Sequence, residues 1–195
     1  MDRFYRNPLV TFGIGPIFLF LVKHRFPWDI PRSWTVALRN VWLTNLALVG
    51  VLVAMALTIG LAPFFLVQIP VTLFASAAGV WLFFVQHQFE NTYWDWHDDW
   101  DFYDAALEGS SHLALPKPLQ WLTASIGLHH VHHLSSRIPN YRLQKAMDEN
   151  PELQQATRLT IPQTIGLIRL ALWDEERRRL VRFRDIRGMG RGAAA

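Results

Sequence analysis

The run at residues 41–86 decides the fold of this chain: VWLTNLALVGVLVAMALTIGLAPFFLVQIPVTLFASAAGVWLFFVQ. No residue in this run carries a formal charge. A single helix of this length would extend for about 69 Å at roughly 1.5 Å per residue, whereas the hydrocarbon core of a bilayer is about 30 Å thick. The run is therefore too long for one membrane span, and we expect it to fold back on itself.

Residues that disfavour a helix lie near the middle of this run, namely Gly60, Pro63 and Pro70. They divide it into two apolar segments, roughly 41–60 and 65–85, which the pattern predicts to be membrane-spanning helices joined by a short turn. The alternative is a buried helical hairpin in a soluble protein. We therefore expect an all-α integral membrane protein, built from a two-span hairpin and a cytoplasmic helical cap that carries the histidines discussed below.

Basic side chains avoid the predicted hairpin. There is no Lys or Arg between Val41 and Pro116, and the formal net charge of +3 arises from two basic ends. Because loops rich in Lys and Arg stay in the cytoplasm, both ends of the hairpin are predicted to be cytoplasmic. The residues that follow the second span then emerge at the cytoplasmic face of the membrane.

Two further regions flank the hairpin. Residues 1–40 form a predicted cytoplasmic or interfacial segment, in which the apolar stretch 8–22 is a short re-entrant or amphipathic helix. Residues 87–195 form a predicted cytoplasmic cap with a basic amphipathic tail, including one helix over 161–183. The arginine-rich stretch 177–191 fits either contact with anionic lipid headgroups or a solvated tail.

A run of four histidines is the main candidate for chemistry: His129, His130, His132 and His133. On a helix, His129, His132 and His133 share one face, because their spacing is i, i+3, i+4. Neutral imidazoles brought together in this way bind iron, copper or zinc, and the absence of cysteine leaves histidine and carboxylate as the available ligands. The alternative is a surface cluster with incidental metal capture. His130 lies off the centre of that face, where it is a candidate for a position behind the ligands.

His87 lies where the apolar run ends. By itself, a single histidine at a membrane interface is more often structural than a ligand. Glu90, three residues further on, is placed to accept the second N–H of a ligand histidine and to fix its tautomer, although an ordinary solvated carboxylate is the alternative. Three other histidines, His24, His97 and His112, have no ligand spacing and are given no metal role.

Two longer motifs contain these histidines: VQHQFENTYW at 85–94 and GLHHVHHLSSRIPNY at 127–141. Both resemble the C-terminal half of membrane fatty acid desaturases, in particular the bacterial acyl-lipid desaturases and their Δ12/ω-3 relatives. The segments GSS at 109–111 and LPK at 115–117 also fit that group. The resemblance extends over nearly the whole chain.

The resemblance implies a di-iron centre with O₂ as oxidant. The last histidine box of such enzymes supplies ligands, here His129, His132 and His133, and His87 is an additional ligand. The implied reaction introduces a cis double bond into an acyl chain of a membrane lipid, with electrons from a reduced ferredoxin or a cytochrome b5-type donor. Nucleic acid is not an expected partner. The implied location is the bacterial inner membrane, with the metal site on the cytoplasmic face.

The chain departs from the family pattern in one respect. Family members carry two earlier histidine boxes, H-x-x-x-H and H-x-x-H-H, and nothing before His87 matches either of them. We therefore expect catalytic competence only together with a missing N-terminal half. One alternative is an inactive membrane fragment, since about four protein ligands do not fill two irons. Another is an acyl hydroxylase, since such relatives share these boxes. The arginines at 177–187 are expected to attract an acidic ferredoxin.

Overall fold

The structure, a computed structural model, describes residues 7–186. The chain divides into two compact units, Met1–Trp81 and Leu82–Ala195. The described part of the first unit contains a π-helical turn at Val10–Ile14 that leads directly into helix α1, Gly15–Leu21. The predicted stretch 8–22 therefore contains a helix, over residues 10–21, whose first turn is wound more loosely than an α-helix. Its re-entrant or interfacial position stays a prediction.

Two long apolar helices follow. Helix α2, Thr35–Thr58, has 24 residues, and helix α3, Leu61–His87, has 27. Both are long and apolar enough to cross a membrane. The most apolar 18-residue window of α2 is 0% buried and that of α3 is 6% buried. A core helix of a soluble protein would be mostly buried, so this exposure favours contact with lipid over the alternative of a buried hairpin.

The break between the two helices lies at Gly60, as the sequence predicts. Gly60 has a φ of 83°, a left-handed conformation that glycine adopts without steric cost. Its amide donates to the carbonyl of Met55 at 2.9 Å, which closes the end of α2. The two prolines were expected to be part of the break, and this is wrong for Pro70. Pro63 falls in the first turn of α3, where no helical N–H is needed, and Pro70 lies inside α3.

The second unit contains several short helices. Within the described residues these are α4 (Phe102–Leu107), α5 (Lys117–Leu122), α6 (His129–Leu134), α7 (Leu143–Glu149) and α8 (Ile161–Leu167), with 3₁₀ turns at Asn140–Arg142 and Pro151–Gln155. Helix α4 begins at Asp101, whose carboxylate accepts the amides of Tyr103 and Asp104 at 2.7 and 3.0 Å. That contact satisfies two N–H groups which a helix of this length would otherwise leave unpaired.

The described part of the second unit, residues 82–186, also contains four short strands, so the all-α prediction is correct for most of the described chain and wrong here. Strand β1, His112–Ala114, pairs in parallel with β2, Arg158–Thr160. Strand β3, Leu170–Asp174, pairs antiparallel with β4, Arg179–Arg182. Each of the two sheets has two strands.

The predicted helix over residues 161–183 is wrong beyond Leu167. From Leu170 onward the chain forms strand β3 and pairs with β4 instead. The carboxylate of Asp174 accepts the amides of Glu176 and Arg177 at 3.2 and 3.1 Å, which builds the turn between the two strands. Arg178 then takes a φ of 48°, and the chain reverses into β4. The basic stretch therefore forms a hairpin turn and a strand up to Arg182, and residues 187–191 lie outside the described residues.

The main apolar core of the second unit lies beneath the histidine helix. It consists of five buried side chains, Leu128, Val131, Leu143, Met147 and Leu153. Leu128 and Val131 come from the start of α6, whereas Leu143 and Met147 come from α7. One face of α6 therefore packs in this core, and the opposite face carries His129 and His133.

Candidate metal centre

His87 is the last residue of α3, and its ring is oriented by the helix itself. Its Nδ1 lies 2.8 Å from the carbonyl oxygen of Phe83, one turn earlier. A carbonyl only accepts, so Nδ1 carries the proton and Nε2 is left with a lone pair. A backbone carbonyl on the second ring nitrogen is a common partner of metal-binding histidines.

Three imidazole nitrogens converge at this point. The Nε2 of His133 lies 3.0 Å from the Nε2 of His87 and 3.1 Å from the Nε2 of His129. The ligand atoms of these three residues all lie within 4.8 Å of one another. Two nitrogens bound to the same metal at about 2.1 Å, at a right angle to each other, are about 3.0 Å apart. The three histidines therefore fit a shared transition-metal ion.

The spacing of α6 produces this convergence. His129 and His133 are four residues apart and so project from the same face, towards the end of α3. The opposite face carries Val131, which is 1% exposed and packs in the core. Two of the three converging histidines thus share a helix, while the third, His87, comes from a segment more than forty positions earlier in the chain.

Gly127 is a structural requirement of the site that the sequence analysis missed. Its carbonyl accepts the amide of Leu113 at 2.8 Å, which joins the segment just before α6 to strand β1. A Cβ atom on Gly127 would collide with the backbone carbonyl oxygen of Leu113. The signal was present in the sequence, as a glycine two positions before the histidine run, but a glycine needed for close approach cannot be told there from one needed for a turn.

The remaining histidine of the predicted ligand set, His132, does not join the converging group. Its ring stacks on that of His129, with ring centroids 5.8 Å apart and an interplanar angle of 26°. Its ligand atoms are not among the three that converge. His132 therefore stays a predicted ligand, and the described geometry provides a single ion with nitrogens from His87, His129 and His133.

His130 occupies the core instead of the space behind the ligands. It is fully buried, at 0% exposure, and its Nε2 lies 3.3 Å from the sulfur of Met147. Its ring lies 5.9 Å from that of His112, centroid to centroid. His112, to which the sequence analysis assigned no role, therefore lies partly buried beside the fully buried ring of His130.

Glu90 has a different partner from the one predicted. One of its carboxylate oxygens lies 3.0 Å from the guanidinium of Arg179, in strand β4. The role that we expected for it, fixing a histidine tautomer, is filled at His87 by the carbonyl of Phe83. A backbone carbonyl one turn earlier is present in every helix, so no residue type in the sequence indicates this partner.

The surroundings keep the imidazoles of His129 and His133 neutral. Burial, together with the neighbouring His87, His133, His132 and His130, lowers the pKa of His129 to about 3. Burial and the neighbouring His87 and His132 also lower the pKa of His133. At neutral pH these rings carry lone pairs instead of positive charge, which is the state that binds a metal ion.

Comparison with known proteins agrees with this arrangement. A sequence model described as fatty acid desaturase matches residues 2–164 of the chain, which include all four predicted ligands. The chain belongs to the fatty acid desaturase family. A curated fatty acid desaturase from Bacillus subtilis (strain 168) is 43% identical to it over 185 residues. That alignment covers 95% of this chain and 52% of the relative, so the chain spans about half the length of the desaturase it matches.

The family membership confirms the resemblance that the two histidine-containing motifs carry. It also indicates an oxidoreductase, since desaturation removes hydrogen from its substrate. The β3–β4 hairpin lies beyond residue 164, where the match to the family model ends. The alignment with the Bacillus subtilis desaturase covers 95% of the chain and includes the hairpin.

Proposed function

We propose that this chain is the C-terminal half of an acyl-lipid desaturase, which introduces a cis double bond into an acyl chain of a membrane lipid with O₂ as oxidant and a di-iron centre. The observation that carries this proposal is the convergence of three histidine nitrogens at the end of a helix long enough to cross a membrane. The acyl substrate lies in the bilayer and the reductant in the cytosol. A site at the boundary between the two meets both needs.

The roles of the chain's own residues follow from the geometry. His87, His129 and His133 would hold one iron through their Nε2 atoms, and His132 remains the predicted fourth ligand. Bound iron would supply, together with O₂, the oxidising power to remove hydrogen from an unactivated methylene. The Nδ1–H of His87 stays on the carbonyl of Phe83 and fixes the direction of the Nε2 lone pair.

Helices α2 and α3 would span the bilayer, because exposed apolar side chains cover both of them along their length. We propose the bacterial inner membrane, with the metal site at the cytoplasmic face, from the distribution of Lys and Arg. Electrons would come from a reduced ferredoxin or a cytochrome b5-type protein. Arg178 and Arg179, which we expected to attract an acidic donor, are already paired with Asp95 and Glu90.

A di-iron centre needs more ligands than these histidines provide. Three converging nitrogens suit one ion, and a second iron would need further carboxylates or histidines beyond these three. We therefore propose that the chain acts together with a further polypeptide segment that carries the two remaining histidine boxes. The competing proposal, an inactive fragment, differs in predicting no bound iron pair in any assembly that contains this chain.

Lipid analysis tests the proposal. The chain would be produced together with a segment that supplies the two earlier histidine boxes, in a bacterium that makes only saturated acyl chains, and its fatty acids identified by mass spectrometry. New monounsaturated chains are expected, and His133→Ala should abolish them. Hydroxylated chains would identify the alternative acyl hydroxylase. Saturated chains alone, from a complex that has been shown to contain iron, would overturn the proposed activity.

A further inference from the structure

The β3–β4 hairpin lies beyond residue 164, where the match to the family model ends. It contacts the segment that follows the predicted ligand His87. Strands β3 and β4 pair with Trp173 opposite Leu180 and Asp174 opposite Arg179. An isolated two-stranded hairpin is at best marginally stable in water. This one buries Leu170, Ala171 and Val181, so it is held against the rest of its unit.

Two hydrogen bonds to backbone carbonyls attach this hairpin to the chain just after His87. The side-chain amide of Gln88 donates to the carbonyl of Leu170 at 3.1 Å. The amide of Leu180 donates to the carbonyl of Glu90 at 2.8 Å. Both strands therefore contact residues within three positions of the histidine.

Two ion pairs and one aromatic contact extend the attachment. Arg179 reaches Glu90 at 3.0 Å, and Arg178 reaches Asp95 at 2.6 Å. Trp173 lies 5.7 Å from Trp94, ring centroid to ring centroid. All of these partners lie in the stretch from Gln88 to Trp96, which forms no helix or strand of its own.

The turn between β3 and β4 has an unusual backbone conformation at Arg178, the residue that pairs with Asp95. Arg178 has a φ of 48°, a left-handed conformation that disfavours residues with a Cβ atom. Such a conformation persists where surrounding contacts determine it. Here the contact is the ion pair with Asp95, and the adjacent residue Arg179 points to Glu90.

We propose that the β3–β4 hairpin is a clamp that positions His87 for metal binding, and that Arg179 and Glu90 are positioning residues of the metal site. This inference rests on the proposed metal site. Inside α3 the ring of His87 is fixed by Phe83. The helical hydrogen bonds end one residue later, where the amide of Gln88 donates to the carbonyl of Phe84 at 2.8 Å. Beyond that residue the hairpin holds the stretch through Leu180 and Glu90, and in this way it would help to fix the distance from His87 to His133 on α6.

Metal affinity measured on the purified full chain tests the clamp. Co²⁺ serves as the probe, because its visible absorption reports nitrogen coordination and its titration gives a dissociation constant. Arg179→Gln and Glu90→Gln should each weaken Co²⁺ binding roughly three- to tenfold, less than the loss of a ligand, since the ion pair is exposed and acts through His87. Arg177→Gln is the matched control. Arg177 pairs with Asp174 inside the hairpin at 3.7 Å, so its loss removes the same charge without touching the Gln88–Trp96 stretch.

Rescue separates positioning from a general loss of structure. Arg179→Lys keeps the charge and should recover most of the affinity. The exchanged pair, Glu90→Arg with Arg179→Glu, should bind Co²⁺ more tightly than either single reversal. If all these variants bind Co²⁺ as the unaltered chain does, or if Arg177→Gln weakens binding as much as Arg179→Gln, the clamp is overturned.

Hydrogen exchange measured without metal tests the contact between the hairpin and the Gln88–Trp96 stretch separately from the proposed metal site. The amide of Leu180 donates to Glu90, so its exchange should quicken in Arg179→Gln and stay unchanged in Arg177→Gln. Should the unaltered chain bind no Co²⁺, the proposed metal site fails, and with it the positioning role. The exchange experiment would still show whether the hairpin holds the segment. Unchanged exchange in Arg179→Gln would overturn the contact itself.

Discussion

The Nε2 atoms of His133 and His87 lie 3.0 Å apart, although 46 positions separate the two residues in the chain. This contact joins the end of a membrane-length helix to a six-residue helix in the cap. His133 is central to it, because its Nε2 also lies 3.1 Å from that of His129. The three converging histidines therefore depend on each other's placement, and His133 is the one whose nitrogen lies close to both of the others.

Replacing His133 should cost more metal affinity than replacing His132. His133→Ala removes a converging nitrogen, and loss of a ligand group is expected to weaken Co²⁺ binding by at least about a hundredfold, more than the loss of a supporting partner. His132→Ala removes a ring that stacks on His129 from outside the converging set. Its effect should stay below about tenfold. Titration of each purified variant with Co²⁺ checks the order, and equal losses would place His132 among the ligands of the same ion.

Glycine is required at position 127 for space. In Gly127→Ala the new Cβ would meet the carbonyl oxygen of Leu113, so either β1 or the start of α6 must shift. We expect a loss of stability of about 1–3 kcal/mol. We also expect weaker Co²⁺ binding, since the helix that carries the histidines begins two residues later, at His129. Gly166→Ala is the control, because nothing lies within 4 Å of its Cβ position. That variant should leave both properties within experimental error or raise the stability slightly.

The core beneath α6 should carry much of the stability of the cap. Leu143 is 3% exposed and packs with Leu128 and Val131. Leu143→Ala should lower the free energy of unfolding by about 2–5 kcal/mol, measured by denaturant titration in detergent with a signal from the cap. Leu119→Ala, at a side chain that is 41% exposed, should change it by no more than about 0.5 kcal/mol. Similar losses in both variants would contradict this assignment of the core.

The hairpin helices and the shared face of the histidines could be predicted from sequence because each depends on local periodicity. An uncharged run interrupted at Gly60 gives two helices, and the i, i+4 spacing places His129 and His133 together. The end of α3 at His87 could also be predicted, because the next charged residue, Glu90, comes three positions later.

The parts that failed depend on contacts between distant segments. The stretch at 170–182 has apolar and basic residues at spacings that suit a helix as well as a strand. The turn at Asp174 and the pairing of Arg178 and Arg179 with acidic residues more than eighty positions earlier decide for the strand. For the same reason Glu90 was assigned to a histidine: its partner Arg179 is adjacent to it only in the folded chain.

The contact between Arg178 and Asp95 should depend on pH in a defined direction. The hydrogen bond from Arg178, with that from the Trp96 amide, lowers the pKa of Asp95 from its ordinary value of 3.8. A carboxylate whose pKa is lower in the folded state stabilises that state above the ordinary pKa, and the contribution disappears as the pH falls through the lowered one. The protection of the β3–β4 amides, that is, their exchange rate relative to the intrinsic rate at the same pH, should therefore persist at pH 4 and fall only below it. Asp95→Asn should make exchange faster already at neutral pH and remove its added dependence on acid, and an unaltered acid midpoint in that variant would exclude Asp95 as the titrating group.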